Sequence, residues 1–271
     1  MTLVTTVSCG NENLPKYRDL KNLRLLGLIA DAPEVAPGST VTITPVISDT
    51  EGNGRGLLYT AESCLDLGLS YGGSPNCENN PTRTIVANSQ PVTGLSGPAF
   101  TAAVSSTFSV TVPSSAVIFA GRSSIEQHNG VPYLINYRVL ASDGSVSVSA
   151  FKRVLVSTRT TKNQNPVLSD IFSEGLPMSS YPVGPVRLKP NYPEAAMETY
   201  AVMDSQSNIS TKTEEIRMLW FTNYGKVVET PTEAKGETSY EPITKPDDKT
   251  VVLVGLLKDD RGGAAVKILT F

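Results

Sequence analysis

Histidine is nearly absent from this chain: among its 271 residues there is one, His128. Triads built on serine or cysteine need a base beside the nucleophile. His128 lies in the polar stretch Glu126-Gln127-His128-Asn129-Gly130, and the GxSxG match Gly68-Leu69-Ser70-Tyr71-Gly72 falls in the loop between Cys64 and Cys77 rather than on a strand-to-helix elbow. It reads as a solvated loop residue. Apolar runs long enough to span a bilayer are missing. Blocks of like charge are missing too: 23 Lys and Arg against 26 Asp and Glu leave a net charge of −3, so nothing steers the protein to nucleic acid. Neither GxGxxG nor GxxxxGK[ST] precedes a helical segment, which removes the phosphate-cradling loops. A zinc site needs more ligands in one place than one His and three scattered Cys provide. No cofactor and no metal is expected.

Carboxylates do occur in pairs, as Glu214-Glu215, Asp247-Asp248 and Asp259-Asp260. Glycoside hydrolysis requires two carboxyls facing each other across a cleft, which sequence neighbours on a turn or strand do not supply. They read as solvated turn residues, and the chain reads as no enzyme. Asp49-Thr50-Glu51-Gly52-Asn53-Gly54 offers oxygen ligands at short spacing on a glycine-rich loop. It lacks the later acidic residue of an EF-hand loop, so a plain β-turn loop is expected and calcium is the alternative.

What the chain has in quantity is Val, Thr and Ser, with 21 Gly and 19 Pro recurring as punctuation. That composition points to an all-β protein, and the length suits two tandem immunoglobulin-like antiparallel β-sandwiches of about 100–150 residues each. Pro37-Gly38 is a turn signal. Val41, Ile43 and Ile47 share one face of a strand in which Pro45 demands an edge or a bulge. Tyr133, Ile135, Tyr137, Val139 and Ala141 alternate along another strand, and Asp143-Gly144 is a hairpin turn. The return strand places Val146, Val148, Ala150, Val154 and Val156 in one register, interrupted by Lys152. Residues 157–166 are polar, without periodicity, and carry Arg159 and Lys162 with no acidic neighbour. A linker is therefore expected at 159–166, between a first domain at 20–158 and a second at 167–271, with few contacts depending on it and trypsin cutting there first; the alternative is a rigid pair in which Asn165-Pro166 packs into an interdomain contact. In the second domain Ile216, Met218 and Trp220 alternate with Arg217, Leu219 and Phe221, Gly225 turns the chain, and Val251 to Leu257 is an apolar run fit for a central strand. Lys258 to Gly263 is a hairpin loop before a last strand from Ala264 to Phe271.

The three cysteines need two explanations. Cys64 and Cys77 flank a loop rich in Gly, Ser, Pro and Asn, and a disulfide closing it would stabilise the fold by about 3 kcal/mol. A disulfide implies an oxidising compartment. Cys9 follows Leu3-Val4-Thr5-Thr6-Val7-Ser8 and precedes Gly10 and the polar Asn11-Glu12-Asn13. This resembles the tail of a bacterial lipoprotein signal, in which the cysteine receives lipid. The departures are Thr6 where the pattern prefers Leu, and the missing basic and apolar upstream regions, so the true start is expected further upstream. Residues 1–19 then comprise signal remnant, lipidation site and tether. A tail with a chance thiol is the alternative.

The segments RLLGLIADAPEVAPGSTVTITPVISD, FKRVLVSTRTTKNQNPVLSDI, IRMLWFTNYG and LLKDDRGG resemble tandem Ig-like surface lipoproteins of predatory and gliding Gram-negative bacteria. The resemblance implies fold and export, to an outer-membrane lipoprotein facing periplasm or cell surface, and carries no active site. Trp220 matches the buried tryptophan of an Ig-like strand, without the paired inter-sheet cysteines of antibody domains. The expected role is a membrane-anchored structural or protein-interaction module whose partner is an envelope protein or a surface glycan. A module binding a surface glycan or a solute is the alternative, with Tyr59, Tyr71, Tyr181 and Tyr192 as loop-adjacent candidates for stacking on sugars.

Overall fold

The computed structural model describes residues 19–68, 75–93, 103–104, 106–193, 196–229, 232, 236–245 and 247–271. Its first unit is built from Arg24–Ala30 (β1), Glu34–Val35 (β2), Thr40–Ser48 (β3), Leu57–Leu65 (β4), Thr84–Pro91 (β5), Ala103–Val104 (β6), Phe108–Thr111 (β7), Val131–Ala141 (β8) and Ser147–Val156 (β9). Two short helices, Ser115–Ile118 (α1) and Ser124–Asn129 (α2), precede β8. One sheet runs β1-β3-β6, with β7 also on β3, and the other runs β2-β9-β8-β4-β5. All pairings are antiparallel except the two-residue contact of β2 with β9.

Side-chain alternation packs these sheets face to face. Tyr133, Ile135, Tyr137 and Val139 point inward from β8 and meet Val41, Ile43 and Phe108 of the opposite sheet. Tyr59, Phe108 and Tyr137 stack in the middle, with ring centroids 5.2 to 6.0 Å apart. The Asp143-Gly144 turn closes the β8–β9 hairpin through the Gly144 N–H to Ala141 O bond, 2.8 Å, with Gly144 at φ 74°. Pro45 sits within β3, which has partners on both sides. It faces the break between β7, paired to residues 40–43, and β6, paired to Val46 and Ile47. The missing N–H thus falls where no partner strand asks for it.

The second unit comprises Asp170–Ser173 (β10), Leu176–Pro177 (β11), Val186–Asn191 (β12), Thr199–Met203 (β13), Ile209–Thr213 (β14), Ile216–Thr222 (β15), Lys226–Val227 (β16), Thr238–Glu241 (β17), Val252–Asp259 (β18) and Ala264–Thr270 (β19). Its sheets are β11-β10-β12-β17-β16 and β15-β18-β19, with β13-β14 as a separate hairpin. Between them lie Ile171, Leu188, Val227, Tyr240, Met218, Trp220, Leu253 and Leu257. The chain is therefore all-β, with two tandem immunoglobulin-like sandwiches. A Cβ on Gly255 of β18 would stand 2.2 Å from the end of Met218 and 3.4 Å from the Trp220 ring, so glycine makes room for both.

The two sandwiches share a third apolar layer. Leu20, Leu26 and Val46 of the first pack on Phe221, Val252, Val254, Leu256 and Ala264 of the second. This explains two sequence features. The apolar run of β18 serves the second core with Leu253 and Leu257, and the joint with Val252, Val254 and Leu256. β15 is apolar on both faces for the same reason. β1 approaches β18 closely: a Cβ on Gly27 would lie 3.2 Å from Leu256. Four sheets are stacked, with apolar layers in each of the three gaps.

The segment 157–166 follows the rigid-pair alternative and not the exposed linker. Ser157, Arg159 and Asn163 are buried. Asn165 donates to Ala30 O at 2.7 Å and accepts from Ala264 N at 2.9 Å, stitching β1 to β19. Polar composition signals exposure only when no other segment supplies the hydrogen bonds, and here both sandwiches supply them. No named sheet among the described residues holds strands from both sides of this segment.

Candidate functional site

Charge is concentrated at the joint. Glu34 follows the Asp31-Ala32-Pro33 turn on β2 and is buried, accepting from Arg159 Nη1 at 3.3 and 3.4 Å, from Arg261 Nη2, from Ser157 Oγ, and from Asn163 N at 3.0 Å. Arg261, on the turn between β18 and β19, also donates to Glu214 Oε1 at 3.1 Å. Both guanidinium groups lie against the Tyr200 ring of β13, 5.7 and 4.3 Å from its centroid. Two carboxyl groups and two guanidinium groups thus form a buried quartet, of zero net charge when Glu214 is ionised. Lys152, the residue that interrupts the apolar register of β9, reaches the same turn and donates to Gly262 O. The side chain of Asn129, at the end of α2, exchanges two bonds with the Met203 backbone, at 2.8 and 2.9 Å, and so clips the β13-β14 hairpin to the first unit.

Burial alters the proton affinities here. Glu214 is pushed up to about 7 from its ordinary 4.5, first by desolvation and then by Asp259, while Glu198 N–H and Arg261 pull the other way. Asp259 is raised, chiefly by burial, and Lys152 is pulled down to about 8 from 10.5 by the same cause. A carboxyl whose folded pKa exceeds its unfolded one binds extra protons in the fold. Glu214 therefore contributes stability that is present below 4.5 and is lost as pH rises through 7. Lys152, depressed in the fold, costs stability below 8, and that cost fades as pH rises to 10.5. Relative to Glu214→Gln, the wild type is expected to gain about 2–3 kcal/mol between pH 8 and pH 5. Thermal melts of both across that range check this, and parallel curves would refute it.

At the far end of the stack, the outer face of the five-stranded sheet carries a groove of about 670 Å³. Cross-strand register builds its floor. Phe151 of β9 lies opposite Asn136 of β8, which lies opposite Glu62 of β4, which faces Ile85 of β5. A second row runs Ser149, Arg138, Thr60. Pro75, Asn76 and Arg83 wall one end and Asn88 lies towards the other. Glu62 is neutralised by Arg83 Nε at 2.6 Å and accepts from Asn136 Nδ2 at 3.4 Å. Arg138 donates to Ser147 Oγ at 3.2 Å and makes no ion pair among the described residues. Phe151 and Ile85 are 46% and 56% exposed.

The residues singled out in the sequence fall in several places. Cys64 and Cys77 are bridged, with Cα atoms 5.7 Å apart, and pack on Leu134 beside the groove. Cys9 and Tyr71 lie outside the described residues. Tyr59 is buried in the first core and not at a loop surface. Tyr181 and Tyr192 are packed on the second core, Tyr181 donating to Ile243 O at 2.8 Å. None of these three forms an exposed strip. His128 is on α2 and not in a loop, because Ser123 and Glu126 make a capping box. Asp49 gives both carboxylate oxygens to Arg55, at 2.8 and 2.6 Å, which closes the Asp49–Gly54 loop by an ion pair. Among the described residues no group of three or more His, Cys, Asp or Glu is placed to hold a metal. Glu214 and Asp259, read as solvated, are buried, Glu214 against Arg261 and the Glu198 N–H, and Asp259 beneath Asn163 and Lys152. Arg159 likewise has an acidic partner, 125 positions away in the sequence.

No family model and no curated protein matches the chain. Among solved structures, the D00-D0 domain of intimin is 12% identical at a TM-score of 0.25, covering 92% of this chain and 98% of that one. A red sea bream transglutaminase is also 12% identical, at a TM-score of 0.22, over 92% of this chain and 31% of its own length. An α-L-rhamnosidase from Aspergillus terreus is 12% identical at 0.26, over 90% of this chain and 28% of the enzyme. The chain thus spans about a third of either enzyme. Likenesses at these scores carry no functional argument.

Proposed function

We propose that the chain is a non-catalytic interaction module of the cell envelope, exported and anchored through lipid on Cys9, which presents a binding face on a rigid pair of sandwiches. The observation that carries this reading is the joint. Domains strung together as a flexible tether need neither a shared apolar layer nor a buried ionic quartet, whereas a module that presents one face in a set direction gains from both. The bridged Cys64 and Cys77 favour an oxidising compartment. Binding a surface glycan is the second reading, favoured by the polar groove with its exposed ring.

The anchor is tested directly. Protein expressed from its own gene in its native cells is expected to fractionate with membranes, and Cys9→Ala to release at least tenfold more into the soluble fraction. One acyl attachment gives marginal affinity and a second chain makes it firm, so loss of the lipidated cysteine removes the whole effect. Equal partitioning of both forms would end the lipoprotein reading.

A further inference from the structure

We propose that the groove on the outer sheet of the first sandwich binds an acidic saccharide, with a sugar ring on Phe151 and its carboxylate on Arg138. Phe151 occupies a solvent-facing position of β9 whose neighbours on the same face are Ser149 and Arg153. An isolated surface phenylalanine is ordinarily free to turn; this one is buttressed. The Arg153 guanidinium lies 5.1 Å from its ring centroid, and Arg153 is itself held by the buried Asp66 carboxylate. Half the ring remains open. A fixed aromatic face beside polar groups suits the C–H face of a pyranose, because its negative quadrupole attracts polarised C–H groups while water is displaced from an apolar surface.

The polar half of the groove sets the ligand's charge. The carboxylate of Glu62 is already met by Arg83 and Asn136. Arg138 stands in the next row, one pleat away, with a hydrogen bond to Ser147 and, among the described residues, no ion-pair partner. Its planar fork of donors is the geometry that takes a carboxylate in bidentate fashion. Thr60 and Ser149 flank it with hydroxyls, and Asn136 adds a carbonyl for ring hydroxyls. An extended peptide is a poorer fit. The adjacent edge strand β5 is broken by register shifts opposite Tyr59 to Glu62 and by Ser89 at φ 49°, which spoils the regular ladder that strand addition needs.

This inference rests on the reading of the chain as a binding module and names the ligand class of one face. The test is calorimetric titration of the full chain with an oligomer of galacturonic acid, its fully methyl-esterified form, and an acidic peptide of matched charge. Saturable binding of the free acid is expected, weakened tenfold or more by methyl esterification, by Phe151→Ala and by Arg138→Gln. Both side chains are exposed, so the variants should keep the wild-type melting temperature. Absence of binding overturns the proposal, as does unchanged affinity in either variant or for the ester, and equal affinity for the peptide assigns the groove to a protein ligand instead. The outcome is independent of membrane partitioning, so failure here leaves the anchored-module reading to its own test.

Discussion

Arg261→Met is expected to destabilise the chain by about 3–5 kcal/mol, the cost of stranding a buried charge. Arg261 is 8% exposed, and its guanidinium joins Glu34 to Glu214, with Arg159 beside it. At pH 9, above the raised Glu214 pKa, removing it leaves two buried carboxylates against one cation, so the variants are compared there. Adding Glu214→Gln brings the remaining pair, Glu34 and Arg159, back to zero net charge. The double variant is therefore expected to be more stable than Arg261→Met alone by about 1–3 kcal/mol, a coupling that a double-mutant cycle isolates. Denaturant melts of the wild type, both single variants and the double measure it. Additive losses would mean that Arg261 acts through packing on Tyr200 and not through its charge. The same variant should expose 157–166: trypsin, held off Arg159 in the wild type, should cut there quickly once the joint loosens.

Trp220→Ala is expected to cost about 3–5 kcal/mol by deleting a large side chain that is 0% exposed in the second core. Its indole N–H donates to Gly236 O at 3.1 Å, and that carbonyl would lose its donor as well. For a chain of this size the midpoint should fall by roughly 6–20 °C. How it falls reports on the joint. Phe221, Val252, Val254 and Leu256 belong to the second sandwich yet are buried against the first, so unfolding the second bares Leu20, Leu26 and Val46. One transition moving as a whole is expected in scanning calorimetry. A second sandwich melting early while the first holds its wild-type midpoint would show that the layer between them contributes little.

Both results turn on contacts that sequence patterns reach unequally. A strand's alternation is local, and it placed β8, β9, β15 and β18 within a few residues of where they lie. The Asp143-Gly144 hairpin and the loop closed by Cys64 and Cys77 were legible for the same reason: each depends on residues close in sequence. Lys152 was visible as an interruption of its strand, but not its cause, which is a carbonyl 110 residues away. Glu34 and Arg261 are 227 positions apart and neither sits in a motif. Their pairing exists only because two sandwiches bring two turns together.

The amino-acid sequence by itself determined the strands, the turns and the all-β class, since period-two patterning and turn chemistry are properties of short segments. It also marked, in the doubly apolar β15 and β18, that something must cover a second face. What covers it was decided by tertiary structure alone. The same holds for the groove: Phe151, Asn136, Glu62 and Ile85 form a row only through the register of four strands, and register depends on pairings far apart in the chain. Polar residues at 157–166 could be solvated or buried with equal local logic. Burial won because the charges and amides of two sandwiches complete each other's hydrogen bonds, a balance set by partners in space and not by neighbours in sequence.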